Sequence, residues 1–133
     1  MLKLGEKTDT ADVEGNIIEE KSFDFAVRIV KLCNYLKAKK KEAVLSKQLL
    51  RCGTSVGANV FEAQKAQTTA DFYTKMTIAL KEANETSYWL KLMYSTNRID
   101  EQAYIKSENI RDCVKNIRAQ FLYFIKGGTV CKK

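Results

Sequence analysis

Histidine and proline are absent from this chain, glycine occurs only six times and tryptophan once. Without His, the side chain best suited to acid–base work near neutral pH and a common zinc ligand are both missing. Without Pro, nothing forces a break in a long helix, and no Pro-rich or Ser-rich linker divides the sequence. The four cysteines, Cys33, Cys52, Cys113 and Cys131, stand far apart with no CxxC pair, so the close ligand spacing of a thiolate zinc site is lacking too. Cys33, Cys52 and Cys113 fall at apolar positions of predicted helices and read as reduced core thiols. No apolar run approaches the roughly 18 residues of a membrane span, and the opening MLKLGEKTDT lacks the apolar core of a signal peptide. These absences predict a cytoplasmic protein with no metal, no cofactor and no membrane partner.

What is present suffices for one domain. The chain has 133 residues, 45% of them apolar and 29% charged, enough to bury a single substantial core. Its net charge of +7 is unevenly placed. Residues 1–21 carry three basic and six acidic side chains, so the remainder holds a surplus of +10. That surplus favours polyanionic partners such as nucleic acid.

Periodicity predicts four helices and no strand. The segment 1–21 is polar and aperiodic and reads as a mobile or loosely docked arm. A first helix is expected from Ser22 as N-cap with Asp24 in its first turn, carrying Phe23, Ala26, Val27, Val30 and Cys33 at spacings of three and four. Phe25, Ile29, Leu32 and Leu36 widen that stripe, and the helix should end near KAKKK at 37–41. The second helix places Leu45, Leu49, Cys52, Val56, Val60 and Ala63 on one face. Thr68 and Asp71 form a capping box for the third, expected over 69–96, with Phe72, Met76, Ala79, Ala83, Leu90 and Met93 inward. Asp100 is the expected N-cap of the fourth, where Ile110, Val114, Ile117, Phe121 and Phe124 recur at helical spacing until the Gly pair at 127 and 128. The sum is an all-α domain over 22–126, an antiparallel up-down-up-down four-helix bundle, followed by a tail at 127–133.

The stretch GTSVGANVFEA at 53–63 runs against that propensity. Each Gly costs a helix about 1 kcal/mol relative to Ala, so Gly53 and Gly57, four apart on one face, point to close approach of another backbone. A phosphate-cradling Gly loop would need a preceding strand and a following helix N-terminus, and neither is present. Arg51, Ser55, Asn59 and Glu62 trace a polar seam down the same helix, matched by Lys81, Glu82 and Glu85 on the third. Pairing of Arg51 and Lys81 with Glu62, Glu82 or Glu85 would fix how helices or subunits meet. The alternative is a magnesium site on the Glu82/Glu85 ExxE, as in helical nucleotide hydrolases, but the required second acidic pair is not found.

Two basic rows flank the apolar stripes. Arg111, Lys115, Arg118 and Lys126 trace one flank of the last helix, and Arg28, Lys31 and Lys39 a flank of the first, with Lys37, Lys39, Lys40 and Lys41 clustered near its end. Such rows can neutralise successive phosphates, or can be ordinary solvated faces, and they cannot read base sequence by themselves.

The stretches NIIEEKSFDFAVRIVKL and VLSKQLLRCGTSVGANVFEAQKAQTTADFYTKMTIALKEANETSYWLKLM, spanning about Asn16 to Met93, closely resemble the bacterial proteins encoded in intervening sequences of large-subunit ribosomal RNA genes. The resemblance falls on Lys21, Ser22, Gln48, Arg51, Gly53, Ser55, Gly57, Asn59, Glu62, Asp71, Lys81, Glu82, Glu85, Tyr88, Trp89 and Leu90, with Cys52 where that family often has Ser. It implies a four-helix bundle that assembles into a homo-oligomeric ring, expected as a pentamer, with no established enzymatic activity. It also implies kinship with the accessory variability determinant of diversity-generating retroelements, a basic barrel that binds a reverse transcriptase and nucleic acid. Taken together, the chain is expected to be a non-enzymatic oligomeric binding or scaffold protein. Its expected partner is RNA or a ribonucleoprotein, the alternatives being a protein partner alone or a reverse-transcriptase-like protein.

Overall fold

The computed structural model describes residues 10–107 and 112–119, with side-chain surroundings from Ile17 onward. Four helices are defined in chain order: α1 (Thr10–Lys39), α2 (Val44–Gln64), α3 (Thr69–Ser95) and α4 (Glu101–Lys106). Residues 112–119 are helical as well, and no strand occurs among the described residues.

α2 packs against both α1 and α3. Its direction follows from which residues meet. Gly53 faces Ile29 and Gly57 faces Ser22, while Arg51 reaches Glu82 and Glu62 reaches Lys75. Rising numbers on α2 therefore meet falling numbers on both neighbours, so both pairs are antiparallel hairpins, as their short connections require. The last segment returns along α1: the Arg28 guanidinium donates to the Lys106 carbonyl at 2.9 Å, and the buried Cys113 lies near Lys21 and Asp24.

One core joins these helices. Ile18, Phe25, Ile29, Cys33 and Leu36 from α1 meet Leu49, Val56 and Val60 from α2, and Phe72, Met76, Leu90 and Met93 from α3. Cys113 and Ile117 close it from the last stretch, with Val114 partly buried against it. Thr86 fills the inward position between Ala83 and Leu90, its hydroxyl donating to the Glu82 carbonyl at 2.7 Å. No helix among the described residues is long and apolar enough to cross a membrane.

The helix ends show where the sequence expectations hold and where they fail. Thr68 caps α3, accepting from the Asp71 amide at 3.0 Å. Asp100 caps α4, accepting from the Ala103 amide at 2.8 Å. α3 closes in a Schellman motif: Asn97 is left-handed with φ 62°, and the Arg98 and Asn97 amides return to the Met93 and Tyr94 carbonyls. The first helix, in contrast, does not begin at Ser22. α1 is already helical at Thr10, and Ser22 is a buried mid-helix residue whose hydroxyl donates to the Glu19 carbonyl at 3.2 Å. A hydroxyl satisfied by its own helix can sit in a core stripe, which is why the Ser read as a cap. The part of the expected arm from Thr10 to Lys21 is thus helical and continuous with α1, and residues 1–9 lie outside the described residues. The inward stripe of α1 also differs: Phe23, Val27 and Val30 are exposed, and Phe25, Ile29, Cys33 and Leu36 are buried. The expected single fourth helix is interrupted at Ser107, which turns back to the Ala103 carbonyl. Ile110, Phe121, Phe124 and the tail at 127–133 lie outside the described residues.

Glu42 ties the α1–α2 connection to the α3–α4 turn. Its carboxylate accepts from the Leu45 amide at 2.9 Å and from Arg98 Nε at 2.7 Å, and its own amide donates to the Leu36 carbonyl at 3.0 Å. The Leu45 amide foremost, and Arg98 with it, hold the carboxyl below its ordinary 4.5 against the effect of desolvation. A carboxyl lowered on folding stabilises the fold above its ordinary value and stops doing so as pH falls through the folded one. Glu42→Gln is therefore expected to be less stable than the parent at neutral pH, with the gap closing below about pH 4.5, read from urea melts across the acid range.

The close approach of α1 and α2 gives a second expectation. A Cβ on Gly53 would lie 2.9 Å from both Cγ atoms of Ile29, and one on Gly57 3.2 Å from the Ser22 carbonyl oxygen. Gly53→Ala should destabilise by about 1 kcal/mol, because overpacking costs about 1–3 kcal/mol and the propensity gain recovers only about 1. In an Ile29→Ala background, where only the β carbon at 3.3 Å remains in the way, the same change should cost clearly less than in the parent. Equal effects in both backgrounds, measured by urea denaturation, would show that Ile29 does not limit packing there.

Candidate nucleic-acid interface

The polar seam is a network across the α2–α3 hairpin. The half-exposed Arg51 guanidinium bridges Glu82, at 3.3 Å, and Glu85. Glu85 also accepts from the Trp89 indole at 3.1 Å, and Tyr88 meets the Trp89 ring edge-on at 5.2 Å. Asn59 donates to the Ser55 hydroxyl at 3.0 Å and to its carbonyl at 2.9 Å, so this pair is satisfied within α2. Two expected members lie elsewhere. Glu62 pairs with Lys75 at 2.9 Å, a partner that the spacing alone did not suggest, and Lys81 is exposed with no ion pair among the described residues. Lys75 lies seven residues, two helical turns, before Glu82 on α3, so an extended seam would have included it.

This arrangement commits the acidic groups to structure. Glu82 and Glu85 both hold Arg51, which engages one oxygen of each carboxylate of the ExxE. Among the described residues no three carboxylate, thiol or imidazole groups gather where a cation could be held.

The cations are disposed differently. Lys31, Lys39, Lys40, Lys115 and Arg118 are exposed, and none forms an ion pair among the described residues. Arg28 is exposed and anchored to the Lys106 carbonyl, which sets Lys106 beside the α1 row. Arg111 lies outside the described residues.

At the α1 C-terminus the structure adds residues that the sequence pattern did not single out. A cleft of about 340 Å³ opens between the end of α1 and the α3–α4 connection. Leu32, Ile99 and Ala103 give it apolar surface, Tyr35 forms part of its wall, and Lys40 and Lys106 line it. Tyr35 lies four residues after Lys31 and four before Lys39, so a helical count would have placed an aromatic inside the basic row. A second groove, about 610 Å³ and largely apolar, lies between α1 and α2 along Phe23, Ala26, Thr54, Gly57, Ala58 and Phe61. Phe23 is 67% exposed there, and Phe61 55%.

Residues 14–119 match the family model described as 23S rRNA-intervening sequence protein. The chain is also similar to a crystal structure of a protein of unknown function from the S23 ribosomal protein family of Bacteroides thetaiotaomicron VPI-5482. The two share 47% sequence identity with a TM-score of 0.78, over 80% of this chain and 96% of that one. Among curated proteins none matches. With the family model extending over most of the sequence and a related structure agreeing in fold, this chain belongs to the 23S rRNA-intervening sequence protein family.

Proposed function

We propose that this protein is a non-enzymatic, self-assembling scaffold of the cytoplasm that presents a basic surface to RNA or a ribonucleoprotein. The observation that carries this reading is the partition of charge. Glu82 and Glu85 are engaged by Arg51, Glu62 by Lys75 and Glu42 by Arg98, whereas Lys31, Lys39, Lys40, Lys115 and Arg118 stay exposed without ion pairs among the described residues, as do the acidic Glu20, Asp24 and Asp71. Cations left to solvent on rigid helices are what a phosphate backbone neutralises, with release of counterions.

In this reading the segment after α4 completes an up-down-up-down four-helix bundle, consistent with its return along α1. Copies of the bundle form a ring, a pentamer by likeness to the accessory variability determinant of retroelements, and a reverse-transcriptase-like protein is the corresponding protein partner. The groove flanked by Phe23 and Phe61 supports self-association, since apolar surface of that extent is seldom left to water. The same groove favours the second reading, a protein-only scaffold. A magnesium-dependent nucleotide hydrolase has less support, because Glu82 and Glu85 are engaged by Arg51 and Glu62 by Lys75.

Lys115→Glu with Arg118→Glu is expected to weaken binding of a ribosomal RNA fragment at low salt at least tenfold. It should also flatten the dependence of log K on log salt by about 0.7–0.9 for each phosphate no longer neutralised, with the helical circular dichroism unchanged. Fluorescence anisotropy over a salt series measures both, and unchanged affinity would remove that face from the reading. Salt-insensitive capture of a protein without nucleic acid would favour the second one.

A further inference from the structure

Most of the exposed cations lie on open helix faces, where they can hold a phosphate chain but not a base. The cleft at the end of α1 differs in kind. It combines an aromatic face, an apolar floor, two amides and two cations within one concavity. Tyr35 is 49% exposed, so its ring is accessible to a ligand. Leu32 and Ala103 are partly buried and Ile99 is buried, which makes the floor a rigid part of the core edge. Asn97 and Gln102 are among the lining residues, and a side-chain amide can both donate and accept.

The charges of the cleft are not all available. Arg98 is held by Glu42 at 2.7 Å, and Asp100 caps α4 through the Ala103 amide. Lys40 and Lys106 take part in no ion pair among the described residues. Arg28, bonded to the Lys106 carbonyl, adds a third positive group beside the second of these. Lys31 and Lys39, one turn before and after Tyr35, continue the row past the cleft on both sides.

We propose that this cleft receives one unpaired nucleotide of a single-stranded RNA, with the base stacked on Tyr35 and the adjoining phosphates at Lys40 and Lys106. The inference rests on the RNA reading above and adds to it a base-dependent step. The volume of the cleft, about 340 Å³, lies at the small end of ligand pockets and suits a single nucleotide. Stacking explains the aromatic, since every base offers a π-face while a duplex keeps its bases covered. The basic row leading away on both sides favours a polymer over a free nucleotide, because only a chain can use cations outside the cleft. Selectivity among bases would be slight, resting on the two amides, as stacking is tolerant of sequence.

The test compares a short oligoadenylate with an abasic ribose-phosphate oligomer of equal length, by fluorescence anisotropy at low salt on the full chain. The parent should bind the base-bearing oligomer about tenfold more tightly. Tyr35→Ala should bring that oligomer down to the abasic level and leave the abasic affinity unchanged, whereas Tyr35→Trp should keep the preference. Lys40→Gln with Lys106→Gln should weaken both oligomers together. Equal affinity of the parent for the two, or a preference that survives Tyr35→Ala, would overturn the nucleotide cleft while salt-sensitive binding of both left the RNA reading standing. Adenosine monophosphate binding as tightly as the oligomer would overturn it in favour of a free-nucleotide site. Failure of the parent to bind either oligomer would take down both readings.

Discussion

The separation between α1 and α2 is set where side chains are missing. Gly57 brings the α2 backbone to the α1 backbone at Ser22, and Gly53 brings it to the flank of Ile29. Two glycines within a helix oppose its formation by about 1 kcal/mol each, so the burial gained by drawing the helices together must exceed that. The close approach fixes the register of the hairpin, and the register delivers Cys33 to the Ser46 carbonyl at 3.3 Å. It also positions the four-residue connection in which Glu42 can reach Leu45 and Arg98 at once. Through the Arg98–Glu42 bond the α3–α4 turn, and with it the cleft beside Tyr35, is tied to the α1–α2 hairpin.

Charge is arranged around that scaffold in two different ways. On the α2–α3 side cations and anions answer one another, through Arg51 with Glu82 and Glu85 and through Lys75 with Glu62. Pairs so exposed contribute little to stability, in the range of about 0–1 kcal/mol. Their more definite effect is on register, since Arg51 can bridge both carboxylates only at one alignment of the two helices. On α1 and the last segment Lys31, Lys39, Lys115 and Arg118 are exposed without such pairing among the described residues.

The sequence made α2 and α3 legible because most of their inward residues recur at helical spacing, although Ser46 and not Leu45 is buried at the start of α2 and Thr86 interrupts the apolar run of α3; a side-chain cap marks the start of α3, at Thr68, but not that of α2. α1 was harder. Its buried and exposed sides both carry large apolar residues, Phe25 and Ile29 inward and Phe23, Val27 and Val30 outward, so periodicity alone could not choose between them. Ser22 compounded this, because a hydroxyl that bonds to its own helix is indistinguishable in sequence from one that caps the next. The Arg51 network was readable from spacing, but the assignment of Glu62 to Lys75 needed the rotation of α3 about its axis. The cleft was not readable, since it joins Tyr35 to residues around 97–106 that are distant in the chain and meet only through the fold.

The buried sulfurs have a consequence of their own. Burial pushes the Cys33 thiol up to about 11 and the Cys113 thiol up to about 12, and raises Cys52 as well. Only the thiolate reacts with oxidants or disulfides, so near neutral pH these sulfurs are chemically silent while the helices stay closed. Oxidation at any of them must wait for a transient opening, and the extent of modification accumulated over a molecule's lifetime becomes a tally of such openings.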